Sequence, residues 1–408
     1  MVRRKWWLAV LGAAVLMAAA CGSSSDSAAP SGSGLTKSPI VIGMANSTTG
    51  PFDGAQTKRN VEVAKTWEAW VNTEKGGING HPVRIVHGDT RNDPAAATTV
   101  ANKMINEDKV IAEVGGGDGV TANVWVPVFN AAKVPVIGGE IVDDDVIQSN
   151  PYHFSLAAPV TPALTATVDA AQAAGAKSFA AVLCAEAPSC LKAADLMQAR
   201  AAQLGVEWKG ITQVRAGDPN YTAACLSVRD ADANYVFVGT ASATALRVLS
   251  DCQRQGVKAD FFGLNYGSFD PGLADVSKSG LSFMGLTEGF PFFLDTPAVR
   301  SFRDAWAEYG SGDLPHGSIQ SLTWASLEMF RKAMANAGDN PTREEVHEAM
   351  TSVKNEDLDG LLPQKVSFEA GKPSPFLNCN FRVRLIKGEY SDGRAYCLPD
   401  GASPVRAS

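Results

Sequence analysis

Two loops carry the side chains best suited to bind a ligand, and each follows an apolar run. Hydroxyl and amide groups cluster at residues 46–49, directly after the apolar run 40–45. The second loop, 115–119, is rich in glycine and contains Asp118. Hydroxyls, amides and open backbone N–H groups bind polar ligands at the carboxyl ends of parallel strands, so both loops indicate a ligand crevice.

The glycine run at 115–119 does not match the known phosphate-binding templates. Counting from Gly115, the last position of GxGxxG is Val120, and no GxxxxGK[ST] motif follows. Asp118 would also repel a phosphate group. Two interpretations stay open: a loop that contacts a ligand, and glycines that let a strand and a helix pack closely.

Motifs for catalysis or metal binding are incomplete. Asp230, Asp232 and Asn234 resemble the start of a calcium loop, but Tyr235 and Ala241 stand where that loop needs Gly and Glu, which favours a solvated turn. The sequence contains neither a Gly-x-Ser-x-Gly elbow nor an HExxH motif. We therefore expect no enzyme activity, no metal and no cofactor.

The elements that position these loops alternate between strand and helix. Strand-like segments at 40–45, 82–87, 110–114 and 134–137 are separated by helical patterns, and the alternation restarts after 152–159. This spacing predicts an α/β fold with a doubly wound parallel sheet in each of two lobes. Trp67, Trp70 and Trp324 lie on helical stripes and are expected in the core, whereas Phe52 and Tyr266 follow strands directly and are candidate ligand contacts.

The N-terminus reads as an export signal followed by an anchor. A basic head at residues 3–5 precedes the apolar run 6–20 and Cys21, so residues 1–20 are expected to be a signal peptide. The sequence LMAAACG at 16–22 resembles a lipobox, which predicts acylation of Cys21, although a plain signal with an incidental cysteine is the alternative. Residues 21–37 then form a flexible tether on the outer face of the membrane. The net charge of −7 makes nucleic acid an unsuitable partner.

Setting Cys21 aside leaves an even set of cysteines, which an exported chain is expected to oxidise. Local spacing favours one set of disulfides: Cys184 with Cys190, Cys225 with Cys252, and Cys379 with Cys397. The last pair is symmetric about residues 387–389, as opposed strands of a hairpin would be.

A specific resemblance lies in the first third of the chain. The sequence KGGING at 75–80, Asp89, Asn-Asp-Pro at 92–94 and the segments 100–103 and 108–110 closely resemble the branched-chain amino-acid-binding proteins of ABC transporters. The resemblance covers roughly residues 38–400. It implies the type I periplasmic binding protein fold, in which two Rossmann-like lobes are joined by three crossover strands and close on a small solute.

The resemblance also implies domain boundaries. The N-terminal lobe is expected at 38–157 plus 291–362, and the C-terminal lobe at 158–290 plus 363–408. The crossovers would then fall near 156–160, 287–291 and 361–366.

The family's binding positions correspond to loops after the strands of both lobes. Acids stand at Asp118 and Glu140, where the family usually has hydroxyls, and Asn265 replaces the acid that typically meets the ligand's ammonium group. These departures favour a ligand that offers amide, amine or hydroxyl donors on that face. The expected ligand-binding residues are Ser47, Thr48, Phe52, Gly117, Asp118, Gly119, Thr121, Gly139, Glu140, Ile141, Asn265 and Tyr266.

The sequence therefore predicts a monomeric, lipid-anchored solute-binding protein that delivers a small organic molecule, such as an amino acid, an amide or an aromatic compound, to ABC permease subunits. Two alternatives stay open. One is a sensor that passes lobe closure to a receptor, and the other is a secreted hydrolase.

Overall fold

Parallel strands organise the chain into two sheets in a computed structural model, which describes residues 35–52, 54–141, 143–186, 188–264 and 271–399. The predicted signal peptide, the predicted lipidation site Cys21 and most of the tether lie outside the described residues. So do the candidate site residues Asn265 and Tyr266.

The first sheet is parallel throughout and has the strand order β2-β1-β3-β4-β5. Its strands are β1 (Ile40–Asn46), β2 (Val83–Asp89), β3 (Glu113–Val114), β4 (Val136–Ile137) and β5 (His153–Phe154). β1 pairs with β2 in register from Ile40 opposite Val83 to Asn46 opposite Asp89. The loops that follow β1 and β2 therefore start side by side.

Helices cover both faces of this sheet. They are α1 (Gly54–Glu74), α2 (Pro94–Asn106), α3 (Ala122–Ala131) and α4 (Asp144–Ser149). Local signals explain where they begin: the Asp93 side chain caps α2 ahead of Pro94, and Asp143 caps α4. Trp67, Trp70 and Trp324 are buried in the core, as predicted.

The second sheet combines a parallel part with an antiparallel edge, in the order β12-β11-β10-β9-β8-β6-β7. Its strands are β6 (Ser178–Cys184), β7 (Glu207–Val214), β8 (Tyr235–Gly239), β9 (Phe261–Leu264), β10 (Phe283–Thr287), β11 (Cys379–Ile386) and β12 (Glu389–Cys397). Its helices are α5 (Val160–Ala173), α6 (Pro188–Leu204), α7 (Thr222–Ala231), α8 (Ser242–Arg254) and α9 (Pro271–Lys278). The hairpin β11–β12 turns at Lys387 and Gly388, which both have positive φ.

Three segments connect the two lobes. The chain leaves the first sheet after β5, and it returns after β10 to α10 (Pro297–Tyr309), α11 (Ser318–Ala333) and α12 (Arg343–Thr351). It crosses again after the short 3-10 helix Leu358–Gly360 to reach β11. The two-lobed α/β fold class that we predicted is confirmed.

The structure contains the three disulfides that the spacing favours. Cys379 stands opposite Cys397 in the ladder between β11 and β12, so the hairpin register itself brings this pair together. Cys225 in α7 and Cys252 in α8 join two helices that pack on the same face of the second sheet.

Several boundaries differ from the sequence pattern. β3 has only two residues, Glu113 and Val114, although the apolar run 110–114 suggested five. The patterns did not reveal β5 or β10, because β5 has only two residues, His153 and Phe154, and Gly285 and Thr287 interrupt the apolar residues of β10.

Candidate functional site

Three loops of the first lobe meet at the carboxyl ends of β1, β3 and β4. The Ser47 N–H donates to the Gly117 carbonyl at 3.3 Å, and the Glu140 N–H donates to the Gly116 carbonyl at 2.9 Å. Isolated parallel β-bridges also join Asn46 to Gly117 and Gly117 to Glu140. The structure thus brings together Ser47, Gly117 and Glu140, which belong to three separate stretches of sequence.

Glycines allow these loops to approach so closely. Gly139 has φ of +81°, and a Cβ at this position would overlap the Gly116 carbonyl oxygen. A Cβ on Gly116 would in turn overlap the Glu113 carboxylate. Gly116 therefore lets its loop pack closely on Glu113 of β3 and Ala45 of β1, whereas the second interpretation of the glycine run was close packing of a strand and a helix.

Asp118 is fully buried and its carboxylate is surrounded by protein donors. Oδ1 accepts from Asn92 Nδ2 at 3.0 Å and from the backbone N–H groups of Val120 at 3.0 Å and Thr121 at 2.9 Å. Oδ2 accepts from the hydroxyls of Thr90 and Thr121. The carboxylate therefore fixes the loop, and the hypothesis that it offers its charge to a ligand has no support in these contacts.

The loop after β1 is tied to the loop after β2. Thr49 Oγ1 donates to Asp89 Oδ2 at 2.6 Å, and the Phe52 N–H donates to Asn92 Oδ1 at 3.2 Å. Burial alone would raise the pKa of Asp89, but hydrogen bonds from Thr49 and Thr48 help to hold it below its ordinary value. Phe52 is half-buried against the core, so its ring forms part of the wall of this loop.

The remaining predicted residues of the first lobe divide into two groups. Thr48 and Gly119 keep partial exposure beside the loops. The Thr121 hydroxyl donates to Asp118, and Ile141 is buried in the hydrophobic core that includes residues of α3. Ile141 therefore contributes to the core rather than to the exposed surface of the loop.

A second buried acid stands beneath the three loops. Glu113 lies in β3, and its Oε1 accepts from the Ala45 N–H at 3.1 Å. Full burial raises the pKa of Glu113 to about 8, although hydrogen bonds from the Ala45 and Gly116 backbones oppose the shift. Glu113 is therefore a protonated structural group at neutral pH.

A cluster of amide side chains that the sequence patterns did not predict lies beside Gly117. Gln320 Nε2, from α11, donates to Asn60 Oδ1 at 2.6 Å and to the Gln56 carbonyl at 2.9 Å. Asn60 is fully buried, and its Nδ2 has no hydrogen-bond partner among the described residues. A Cβ on Gly117 would lie 2.9 Å from that nitrogen.

A signal for these residues existed in the sequence. Gln56 and Asn60 are four positions apart in α1, and Asn60 shares its buried face with Val63, Ala64 and Trp67. A polar residue on an otherwise apolar stripe marks a buried polar contact.

The second lobe contributes loops after β6 and β8. Glu186 follows β6 and accepts from the backbone N–H groups of Ala185 at 3.1 Å and Ala216 at 2.6 Å, so its carboxylate fixes the loop that the Cys184–Cys190 disulfide brackets. Thr240 follows β8 and is buried, and its hydroxyl has no hydrogen-bond partner within the described part of the chain.

The two lobes touch beside these loops. The Ser242 N–H, at the start of α8 in the second lobe, donates to Gln56 Oε1 of the first lobe at 3.3 Å. The loop after β1, which leads into α1, and the loop after β8, which leads into α8, therefore lie where the two lobes touch. Asn60 and Thr240, which lie close in sequence to the two residues of this contact, are uncharged and each has a buried polar atom without a partner among the described residues, which suits a small polar ligand.

The described residues hold neither a metal-binding cluster nor a membrane-spanning helix. Within the described ranges, no cluster of three or more His, Cys, Asp or Glu side chains has a geometry that could hold a metal ion. None of the helices in that part of the chain has both the length and the apolar character needed to cross a membrane.

Comparisons with known proteins agree with this architecture. The family profile described as periplasmic binding protein matches residues 39–374, which is well over half of the chain. A Brucella abortus protein named Leu/Ile/Val-binding protein homolog 2 is 25% identical over 386 residues, covering 88% of this chain and 94% of the relative.

Solved structures show the same fold at low identity. A branched-chain amino-acid ABC transporter protein from Thermus thermophilus with bound valine superposes with a TM-score of 0.74 at 15% identity, covering 88% of this chain and 97% of the other. A solute-binding protein from R. palustris in complex with 4-hydroxybenzoate gives 0.73 at 17% identity, covering 89% and 98%. Together with the profile match, these findings confirm the resemblance seen in the sequence: the chain belongs to the periplasmic binding protein family.

Proposed function

We propose that this protein is the extracytoplasmic solute-binding component of an ABC importer. It captures a small organic solute in the cleft between its two lobes and presents the closed complex to permease subunits. The observation that carries the proposal is the convergence of loops from both lobes on one cleft, where the Gln56–Ser242 hydrogen bond joins the lobes. Membership of the periplasmic binding protein family also supports a role in solute binding.

The ligand class follows from the groups around the cleft. Asn60 Nδ2 and Thr240 Oγ1 are buried polar atoms that lack a partner among the described residues, and burying such an atom without a hydrogen bond costs about 1–3 kcal/mol. A ligand with both acceptor and donor groups would satisfy them. We therefore propose a small polar solute, an amino acid, an amide or a hydroxylated aromatic compound, and the relatives' named ligands fall in this range.

The lobe boundaries given above are part of the proposal. The strands of the first sheet end at Phe154, and α10 and α11 return to pack against α1, which supports a first lobe made of 38–157 plus 291–362. The β11–β12 hairpin pairs with β10, which supports a second lobe that includes 363–408.

The test is to identify what the protein binds. Protein purified without added ligand is denatured, and the released small molecules are identified by mass spectrometry. They are then tested by thermal shift beside leucine, valine, isoleucine and 4-hydroxybenzoate. We expect one chemical class to raise the melting temperature by several degrees. Tight binding of leucine or valine alone would narrow the ligand class to amino acids, binding of no small molecule would contradict the proposal, and steady turnover of the bound compound would favour a hydrolase.

The anchor is tested separately. We propose that Cys21 carries a lipid and that residues 21–37 tether the lobes to the outer face of the membrane as a monomer. Cys21→Ala should move the protein from the membrane fraction to the soluble fraction in the native host. An unchanged membrane fraction would contradict lipidation at this cysteine.

A further inference from the structure

The N-terminus of α8 lacks a cap from its own segment. Its N-cap residue is Ala241, which makes no side-chain cap hydrogen bond. Alanine is among the poorest N-cap residues, because it has no acceptor for the N–H groups that open a helix. Replacing a good cap by alanine typically costs about 0.5–2 kcal/mol.

The missing acceptor comes from the other lobe. Gln56, in the first turn of α1, places its Oε1 3.3 Å from the Ser242 backbone nitrogen, the first residue of α8. The two residues are 186 positions apart in sequence. The amide oxygen also lies at the positive end of the α8 dipole, which favours an acceptor there.

Gln320 of α11 binds the first turns of α1, which contain Gln56 and Asn60. Gln320 Nε2 donates to the Gln56 carbonyl at 2.9 Å and to Asn60 Oδ1 at 2.6 Å. Gln320 is buried and belongs to α11, which begins at Ser318. Ser318 Oγ accepts from the backbone N–H groups of Glu288 at 3.2 Å and Gly289 at 3.1 Å.

Those last contacts lie on the second segment that connects the lobes. Glu288 and Gly289 follow β10 directly, and a Cβ on Gly289 would overlap the Ser318 carbonyl oxygen. Hydrogen bonds therefore tie α11 to an interlobe connection at Ser318 and to the Gln56 backbone at Gln320, and the Gln56 side chain reaches the start of α8.

We propose that Gln56 is an interlobe latch, a positioning residue that caps α8 from the opposite lobe only while the lobes are closed. Opening the cleft separates Gln56 from Ser242 and leaves α8 without this cap, so the hydrogen bond contributes to the closed state alone. Since the net contribution of one such bond is modest, its loss should speed ligand release roughly 3- to 10-fold. This consequence for ligand release rests on the proposed function, whereas the cap itself does not.

The experiment compares Gln56→Asn, Gln56→Glu and Gln56→Lys. Asparagine is one methylene shorter and does not reach, lysine has no acceptor and carries the wrong charge for a helix N-terminus, and glutamate keeps an acceptor with a favourable charge. The matched controls are the same three substitutions at Gln198, which is exposed on α6.

The first readout needs no ligand. Hydrogen exchange of the first turn of α8 is measured by mass spectrometry, with the last turn of α8 as the internal reference. We expect faster exchange of the first turn in Gln56→Asn and Gln56→Lys, no increase in Gln56→Glu, and no change in the Gln198 variants. Small-angle scattering should show a larger radius of gyration for Gln56→Lys than for Gln198→Lys.

Equal exchange in all variants would overturn the latch, and so would an equal increase in Gln56→Glu, because the acceptor would then not be what protects the turn. A protein that binds no solute would refute the proposed function but leave the exchange result standing. For any solute identified in the purified protein, dissociation should be faster from Gln56→Asn and unchanged in Gln198→Asn.

Discussion

Asn92 Nδ2 lies 3.0 Å from Asp118 Oδ1, and this hydrogen bond joins the loop after β2 to the loop after β3. The same Asn92 side chain accepts from the Phe52 N–H at 3.2 Å. One amide therefore positions the loops that follow three neighbouring strands of the first sheet. Asp118 is the anchor of this arrangement because both of its oxygens accept hydrogen bonds.

The first prediction concerns the buried carboxylate of Asp118. Asp118→Asn replaces one carboxylate oxygen by an amide group that cannot accept, so at least one buried donor loses its partner. We expect a loss of about 1–3 kcal/mol in the free energy of unfolding, measured by urea denaturation. Asp195→Asn, at an exposed position on α6, is the control and should change stability little. Unchanged stability together with lost ligand binding would instead assign Asp118 to the ligand.

The second prediction is a pH dependence from Glu113. Its pKa is about 8 in the folded protein against 4.5 as the ordinary value, so folding favours the protonated form. This stabilisation is complete below about pH 4.5 and is lost as the pH rises through 8. Between these limits it falls by about 1.4 kcal/mol per pH unit.

Glu113→Gln removes that titration while keeping an acceptor for the Ala45 N–H. Relative to the unmodified protein, we expect this variant to gain stability steadily from pH 5 to pH 8, as measured by urea denaturation at each pH. Glu308→Gln, at an exposed position on α10, should follow the unmodified protein throughout. A constant difference between Glu113→Gln and the unmodified protein would show that Glu113 does not titrate in this range.

The third prediction concerns a buried ion pair in the second lobe. Arg200 Nε lies 2.9 Å from Asp169 Oδ2, and the side chains are 11% and 5% exposed. Tyr396 also donates to Asp169 Oδ1 at 2.8 Å, which links α5, α6 and β12. Arg200→Leu leaves the Asp169 carboxylate buried without its cation and should cost about 3–5 kcal/mol.

The control for this pair is Arg229→Leu. Arg229 and Asp230 form an ion pair whose side chains are 46% and 69% exposed, and exposed pairs contribute about 0–1 kcal/mol. Thermal and urea unfolding measure the loss in the free energy of unfolding for Arg200→Leu and Arg229→Leu, and we expect the larger loss in Arg200→Leu. Similar losses in the two variants would contradict the role given to burial.

The fourth prediction concerns the disulfides. Non-reducing peptide mapping of the exported protein should recover the three linkages, Cys184–Cys190, Cys225–Cys252 and Cys379–Cys397. Replacing both cysteines of a pair by alanine should lower the free energy of unfolding by roughly 2–4 kcal/mol, and more for the 27-residue separation of Cys225 and Cys252 than for the 6-residue separation of Cys184 and Cys190. A different set of linked peptides would refute the strand and helix pairing described above.

Much of the architecture could be predicted because it depends on local pattern. The run Ile40–Asn46 is apolar and is followed by hydroxyl and amide residues, so a strand feeding a ligand loop was apparent at once. The symmetry of Cys379 and Cys397 about their turn placed the last hairpin for the same reason. The short strand β10 was missed, since it contains only three apolar residues, interrupted by Gly285 and followed by Thr287, and these form neither a run nor a period.

The candidate site was only partly predictable. Ser47 and Gly117 lie in loops identified from their positions after strands, Glu140 was carried over from the family's binding positions, and strand order then brought the three backbones together. The chemical role of Asp118 could not be read in the same way. An acid in a loop is equally compatible with binding a ligand and with accepting hydrogen bonds from its own chain. Which of these Asp118 does depends on Thr90 and Asn92, which lie in the loop after β2.

The sequence by itself thus determined the alternation of strands and helices, the resemblance to a family with a two-lobed fold, and the cysteine pairs. These depend on neighbours along the chain or on short spacings. Only the tertiary structure decided which polar side chains meet, because Gln56 finds Ser242 186 residues away and Gln320 264 residues away. Such pairs form when helices and sheets pack, and no local pattern records which loop will lie opposite which.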